Sequence, residues 1–138
     1  RLHGPGIAPY VDPARITFVR PKRLEDLLWS TEEVLRAGCI PLVITELPEP
    51  PPLTPIRRLH LAAETGAKFG TTPLSILLTP GDGGAQGVES RWHLTPTHPP
   101  DQRRWLLTRR RARMAPPAGF EISWNGKRAH LAEPLQTA

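Results

Sequence analysis

Proline occupies 18 of the 138 positions. Each one fixes φ and removes a backbone donor, so regular helix and strand must fit the windows between them. The prolines crowd residues 48–55 and 96–100, and single ones stand between apolar runs. That distribution reads as loop punctuation in a folded domain rather than as a disordered tail. The length suits one domain able to bury a single core. No apolar run approaches the ~18 residues a membrane helix needs. The lone cysteine, Cys39, excludes an internal disulfide and reads as structural. With no secretory segment in these residues, the cytoplasm is the expected compartment.

Within the windows, hydrophobic period assigns the elements. Ile16-Thr17-Phe18-Val19 is a β-branched and aromatic run ended by Pro21, and it predicts a strand. From Leu24 the period changes. Leu24, Leu27, Leu28, Thr31, Val34 and Leu35 share one helical face, Glu25 and Asp26 suit the first turn, and Gly38 is a natural stop. Leu42-Val43-Ile44 is a continuous apolar run, as expected of a strand covered on both faces. Thr54-Pro55 predicts a helix start, and the helix is expected to stop near Gly66. Leu74 to Leu78 is a further buried strand. Strand, helix, strand, helix, strand with short connections predicts Ile16–Val19, Leu42–Thr45 and Leu74–Leu78 parallel in one sheet.

The second half changes character. Gly81, Gly83, Gly84 and Gly87 mark a flexible loop with few side-chain anchors. Only strands are legible beyond it: Arg91 to Thr95, Arg104 to Arg111, Phe120 to Trp124, and a return from Lys127 to Leu131 after the hairpin signal Asn125-Gly126. The expected architecture is α/β, a parallel sheet flanked by helices and extended by antiparallel strands.

Net charge is +5 and the pI is about 10.3, which makes a polyanion a candidate partner. The charge is concentrated: Arg103, Arg104, Arg109, Arg110, Arg111 and Arg113 fall within eleven residues. Strand alternation predicts Arg109, Arg111 and Arg113 on one face and Arg110 on the other. Guanidinium groups so arrayed suit phosphate oxygens or an acidic protein. The plainer reading is an edge strand protected from association by its charge. Trp29, Trp92, Trp105 and Trp124 offer base-stacking platforms, but packing between strands is the more economical role. His3, His60, His93, His98 and His130 have no metal-ligand spacing with Cys39 or with one another, so no metal site is expected. Ser30, Ser75 and Ser90 carry no nucleophile signature.

The order of elements resembles the RecA recombinase core, from just after its first two strands to the end of its sheet. Tyr10-Val11-Asp12-Pro13-Ala14-Arg15-Ile16, the helix ending Val34-Leu35-Arg36-Ala37-Gly38 and the strand from Leu42 to Glu46 carry part of the likeness. Ser75 to Thr79 with its glycine-rich loop resembles the second DNA-binding loop. Arg111-Ala112-Arg113-Met114-Ala115-Pro116 followed by Phe120-Glu121-Ile122-Ser123-Trp124 resembles the end of the core. Leu2-His3-Gly4-Pro5-Gly6, Phe18-Val19-Arg20-Pro21 and Arg57-Arg58-Leu59-His60-Leu61-Ala62-Ala63-Glu64 are most similar to the ImuA-type proteins of DNA-damage mutagenesis. The resemblance implies a single RecA-like domain over residues 1–138, read as a fragment without the phosphate-loop region. It also implies a role in the SOS response and translesion synthesis beside polymerase-like partners.

The departures concern chemistry. No Gly-x-x-x-x-Gly-Lys-Ser/Thr occurs in the sequence. The acid ending the Leu42 strand is Glu46 where the recombinases carry Asp, and Thr45 precedes it where they carry an apolar residue. Arg111 and Arg113 stand where they carry lysines, and the loop after Leu78 is short. Glu46 lies where open α/β sheets place ligands, so it is either a relic of a nucleotide- and metal-binding acid or a surface acid opening a proline loop. The chain is therefore expected to be an accessory protein without ATPase activity, holding no cofactor of its own and meeting single-stranded DNA or a protein. Two alternatives stay open. One is an ATPase whose ATP and Mg²⁺ are held by a phosphate loop upstream, and the other is a self-associating filament subunit.

Overall fold

The computed structural model describes residues 3–82 and 84–132. It is mixed α/β, with a two-stranded parallel sheet and a separate four-stranded antiparallel sheet. The chain divides into two compact units, Val19–Glu89 and the remainder, Arg1–Phe18 with Ser90–Ala138.

In the first unit, α2 (Leu24–Ala37) and α3 (Leu53–Phe69) pack on one face of β1 (Leu42–Glu46) and β2 (Leu74–Leu78). The two strands are parallel, with Leu42 opposite Leu74 and Glu46 opposite Leu78. Leu35, Ile56, Leu59, Ala62 and Ala85 are buried together, with Val43, Ala63, Leu77 and Val88 against them. Thr45 is also buried, and its hydroxyl meets that of Thr31 at 2.9 Å. Thr31 donates its proton to the Leu27 carbonyl, so Thr45 donates to Thr31 and both hydroxyls are satisfied. Glu32 is buried on α2 and pairs with Arg36 and, at 2.7 Å, with Arg58 of α3.

The helices meet backbone to backbone. Gly38 ends α2 in the left-handed region at φ 66°. A Cβ there would lie 2.2 Å from the Gly66 carbonyl oxygen, and a Cβ on Gly66 would lie 2.0 Å from that of Leu35. Gly66 therefore does not stop α3 as its position suggested. The helix continues through it to Phe69, because the missing side chain serves the crossing and not the terminus.

Three expectations are corrected. Ile16–Val19 forms no strand. A 3-10 turn at Pro13–Arg15 precedes it, Ile16 is extended and the segment then has no regular structure, with Phe18 and Val19 exposed. High β-propensity cannot make a strand without a partner ladder. The parallel pair is covered on one face only, since both helices lie against Val43, Thr45 and Leu77 while Leu42, Ile44, Leu74, Ile76 and Leu78 are exposed. The antiparallel strands do not extend this sheet. β3 (Ser90–Pro96), β4 (Arg103–Ala112), β5 (Ala118–Trp124) and β6 (Ala129–Leu131) pair only with one another, in the order β3-β4-β5-β6. The remaining helix, α1 (Gly4–Ile7), is a single turn. Asn125-Gly126 makes the expected hairpin, with the Asn125 side-chain oxygen accepting from the amides of Lys127 and Arg128.

Gly66→Ala is expected to destabilise the chain by about 2–3 kcal/mol, because the overlap is with backbone that cannot swing away. Alanine's advantage in helix propensity, up to ~1 kcal/mol, acts in the opposite direction and is the smaller term. Urea unfolding followed by the helical circular dichroism signal measures the difference.

Candidate functional site

Cross-strand partners in an antiparallel sheet share a face, so the register of β3 to β6 sorts every side chain. Trp92, Leu94, Trp105, Leu107, Phe120, Ile122, Trp124 and Leu131 fall on one face together with Arg103 and Arg109. Arg91, His93, Thr95, Arg104, Arg111, Glu121, Ser123 and His130 fall on the other. The first face is apolar with two arginines, and the second is polar apart from Leu106, which pairs with Thr95 and Glu121.

The expected line of Arg109, Arg111 and Arg113 on one face is not formed. Trp92 pairs with Arg109 while Arg91 pairs with Arg111, so β4 carries one extra residue at this point. Successive residues Arg91 and Trp92 point to opposite faces, and their partners follow them. Arg109 therefore stands on the apolar face and Arg111 on the polar one. Arg113 lies just beyond the end of the strand. The edge-protection reading does not hold for Trp105–Arg109, which is hydrogen-bonded to β3 on one side and to β5 on the other, whereas Arg111 and Ala112 pair with β3 alone. An interior strand has no edge to guard.

Two aromatic groups occupy the apolar face. At one end Tyr10, from the N-terminal segment, lies against Trp124 with ring centroids 4.6 Å apart, and Arg103 Nη1 donates to its hydroxyl. His98 meets Trp105 edge-on at 4.8 Å. At the other end Trp92 and Phe120 lie 6.0 Å apart, tilted by 42°. The Arg109 guanidinium carbon sits 5.6 Å from both ring centroids. Its Nε donates to the Pro116 carbonyl at 2.8 Å, which fixes the fork over the rings. The Trp92 indole N–H donates to Ser90 Oγ, so its polar group is satisfied locally. Trp92 is nevertheless 44 % exposed, and Leu94, two residues along β3 on the same face, is more exposed still. Sequence alone favoured packing for these tryptophans. The pairing register and the accessible ring are the signals it lacked.

Glu46 is exposed at the carboxyl end of β1. The residues on its face of the sheet are Leu42, Ile44, Leu74, Ile76 and Leu78, which are aliphatic and offer nothing to share a metal ion or a phosphate. These surroundings do not fit a magnesium–nucleotide site. The loop after β2 is held at its far end: Ala85 is buried in the core, and the Gly87 carbonyl accepts from His60 Nε2 at 3.1 Å. Gly81, Gly84 and Gly87 have positive φ, and a Cβ on Gly87 would meet Leu53 at 2.4 Å. Gly83 lies outside the described residues. Among the described residues no group of three or more His, Cys, Asp or Glu side chains is placed to hold a metal, and no helix is long and apolar enough to cross a membrane.

No family model, curated protein or solved structure matches this chain.

Arg109→Ala is expected to lower stability by about 1–2 kcal/mol, the sum of two exposed cation–π contacts at ~0.5–1 kcal/mol each and part of one hydrogen bond. Arg111→Ala is expected to stay within ~0.5 kcal/mol, as an exposed substitution does. Equal urea midpoints for the two variants would show that Arg109 does not clasp the rings.

Proposed function

We propose that this chain is a RecA-like accessory protein of damage-induced mutagenesis and translesion synthesis, which meets single-stranded DNA through its four-stranded sheet and does not turn over ATP. The observation that carries the DNA contact is the position of β4. It is an interior strand, yet it brings arginines to both faces of a sheet in a chain of net charge +5. The parallel β1–α3–β2 unit, with its acid at the end of the first strand, agrees with the recombinase likeness at the level of local order. The exposed aliphatic face of that unit supports a protein partner, either a polymerase-like protein of the mutagenesis machinery or another copy, because contiguous apolar surface marks interaction sites. The cytoplasm is the compartment in which such a protein works.

The absence of turnover rests on sequence and on surroundings. Phosphoryl transfer needs a positioned lysine and Mg²⁺ around the phosphates. The sequence has no loop to supply them, and Glu46 stands among aliphatic neighbours.

Two measurements test the reading. Fluorescence anisotropy with single-stranded oligonucleotides should give sequence-independent binding that falls with salt. The arginines divide between faces, so a strand lying along one face neutralises two or three phosphates, and the slope of log K against log salt should be roughly −1.4 to −2.1. Replacing Arg109 and Arg111 together by alanine should flatten it by ~0.7 per lost contact. An unchanged slope and affinity would remove the DNA contact. ATP turnover should equal the buffer blank, and turnover above the blank that is lost in Glu46→Ala would overturn the second half of the proposal.

A further inference from the structure

The geometry points to a base-stacking site on the apolar face of the four-stranded sheet, formed by Trp92 and Phe120 and closed by Arg109, that takes unpaired bases of single-stranded DNA. It rests on the DNA reading above and specifies it: the arginines alone would bind any polyanion, whereas the rings select one whose bases are free.

Four observations converge. Trp92 on β3 and Phe120 on β5 flank β4 from opposite sides on the same face, with their centroids 6.0 Å apart. The indole N–H is already satisfied by Ser90, so the ring presents a flat apolar surface with no unmet donor of its own. Trp92 is 44 % exposed, and exposed Leu94 follows it on the same face of β3. The guanidinium of Arg109 lies 5.6 Å from both rings and is anchored by one of its five N–H groups to Pro116.

The opposite end of the face differs. There the N-terminal segment lays Tyr10, itself 46 % exposed, on Trp124, and His98 meets Trp105, so the two tryptophans of that end are half-buried under groups from outside the strands. Among the tryptophan and phenylalanine rings carried on the strands of this sheet, Trp92 is the most exposed. A β-sheet face with an exposed ring backed by a second one and an arginine beside them gives stacking and phosphate attraction at the same place, which is how single strands are held without sequence readout. An acidic protein segment would meet the arginines and gain little from the flat rings. A duplex carries more phosphate charge per length but keeps its bases stacked inside.

The test uses the full chain and three probes of equal length: a mixed-sequence single strand, the corresponding duplex, and poly-glutamate. The single strand should bind at least several-fold more tightly than either of the others. Trp92→Leu should weaken single-strand binding roughly 5- to 150-fold, the range for one lost base stack, with the salt slope unchanged because no phosphate contact is removed. Trp92→Phe keeps an aromatic face and should recover most of the affinity, which also guards against misreading a folding defect. Phe120→Leu should weaken the single strand in the same direction.

The outcomes separate the two proposals. If no probe binds, the DNA reading and this one fall together. If the single strand binds with the expected slope but Trp92→Leu and Phe120→Leu bind as the parent does, the arginine contact stands and the stacking site is overturned. Duplex or poly-glutamate binding as tight as the single strand also overturns it, since charge alone then accounts for the affinity.

Discussion

The approach of α2 to α3 at Gly38 and Gly66 sets the geometry of the helix-bearing unit. With a Cβ on either residue only about 2 Å from a backbone oxygen of the facing helix, the crossing exists only because both positions lack one. The contact lets Leu35 reach zero exposure against Ile56 and Leu59, and it brings Arg58 within reach of the buried Glu32 carboxylate. Separating the helices would open the core and leave that carboxylate with Arg36 alone, and a buried charge missing a partner is costly. The return into β2 depends on the same place, since the Thr71 amide donates to the Gly38 carbonyl at 2.9 Å and the next residues lead into the strand beside β1.

The four-stranded sheet is organised differently. Among its described residues there is no comparable buried core, and its order comes from the pairing ladder and from the separation of apolar and polar side chains onto two faces. One extra residue in β4 decides how the arginines are shared. Without it, strand alternation would align Arg109 with Arg111. With it, Arg109 is delivered over Trp92 and Phe120 while Arg111 joins Arg91 on the polar face. A basic segment that reads as a uniform stripe in sequence thus becomes two chemically distinct surfaces, one aromatic and cationic and the other hydrophilic.

Much of the secondary structure was legible because local signals agreed with one another. The stretch from Leu24 to Gly38 has period, charge placement and a terminating glycine, and α2 follows it closely. Asn125-Gly126 between two alternating runs specifies a hairpin through its own side chain. Ile16–Val19 had only propensity, and propensity does not supply the neighbouring strand that would satisfy its backbone. Gly66 shows the complementary limit. Within a helical pattern, a glycine that ends a helix and one that lets another backbone approach look alike.

By itself the sequence determined the order of elements from α2 onward, the parallel β1–α3–β2 unit, the antiparallel character of the second half, the net positive charge and its concentration in β4. All of these follow from periodicity, turn chemistry and composition, which act between residues a few positions apart. Tertiary structure decided that there are two sheets rather than one, that helices cover only one face of β1 and β2, that Glu46 stands among aliphatic neighbours, and that Arg109 closes over two rings while Arg111 points away. Each of these depends on which distant residues are paired, and a single-residue shift in strand register moves a side chain to the opposite face.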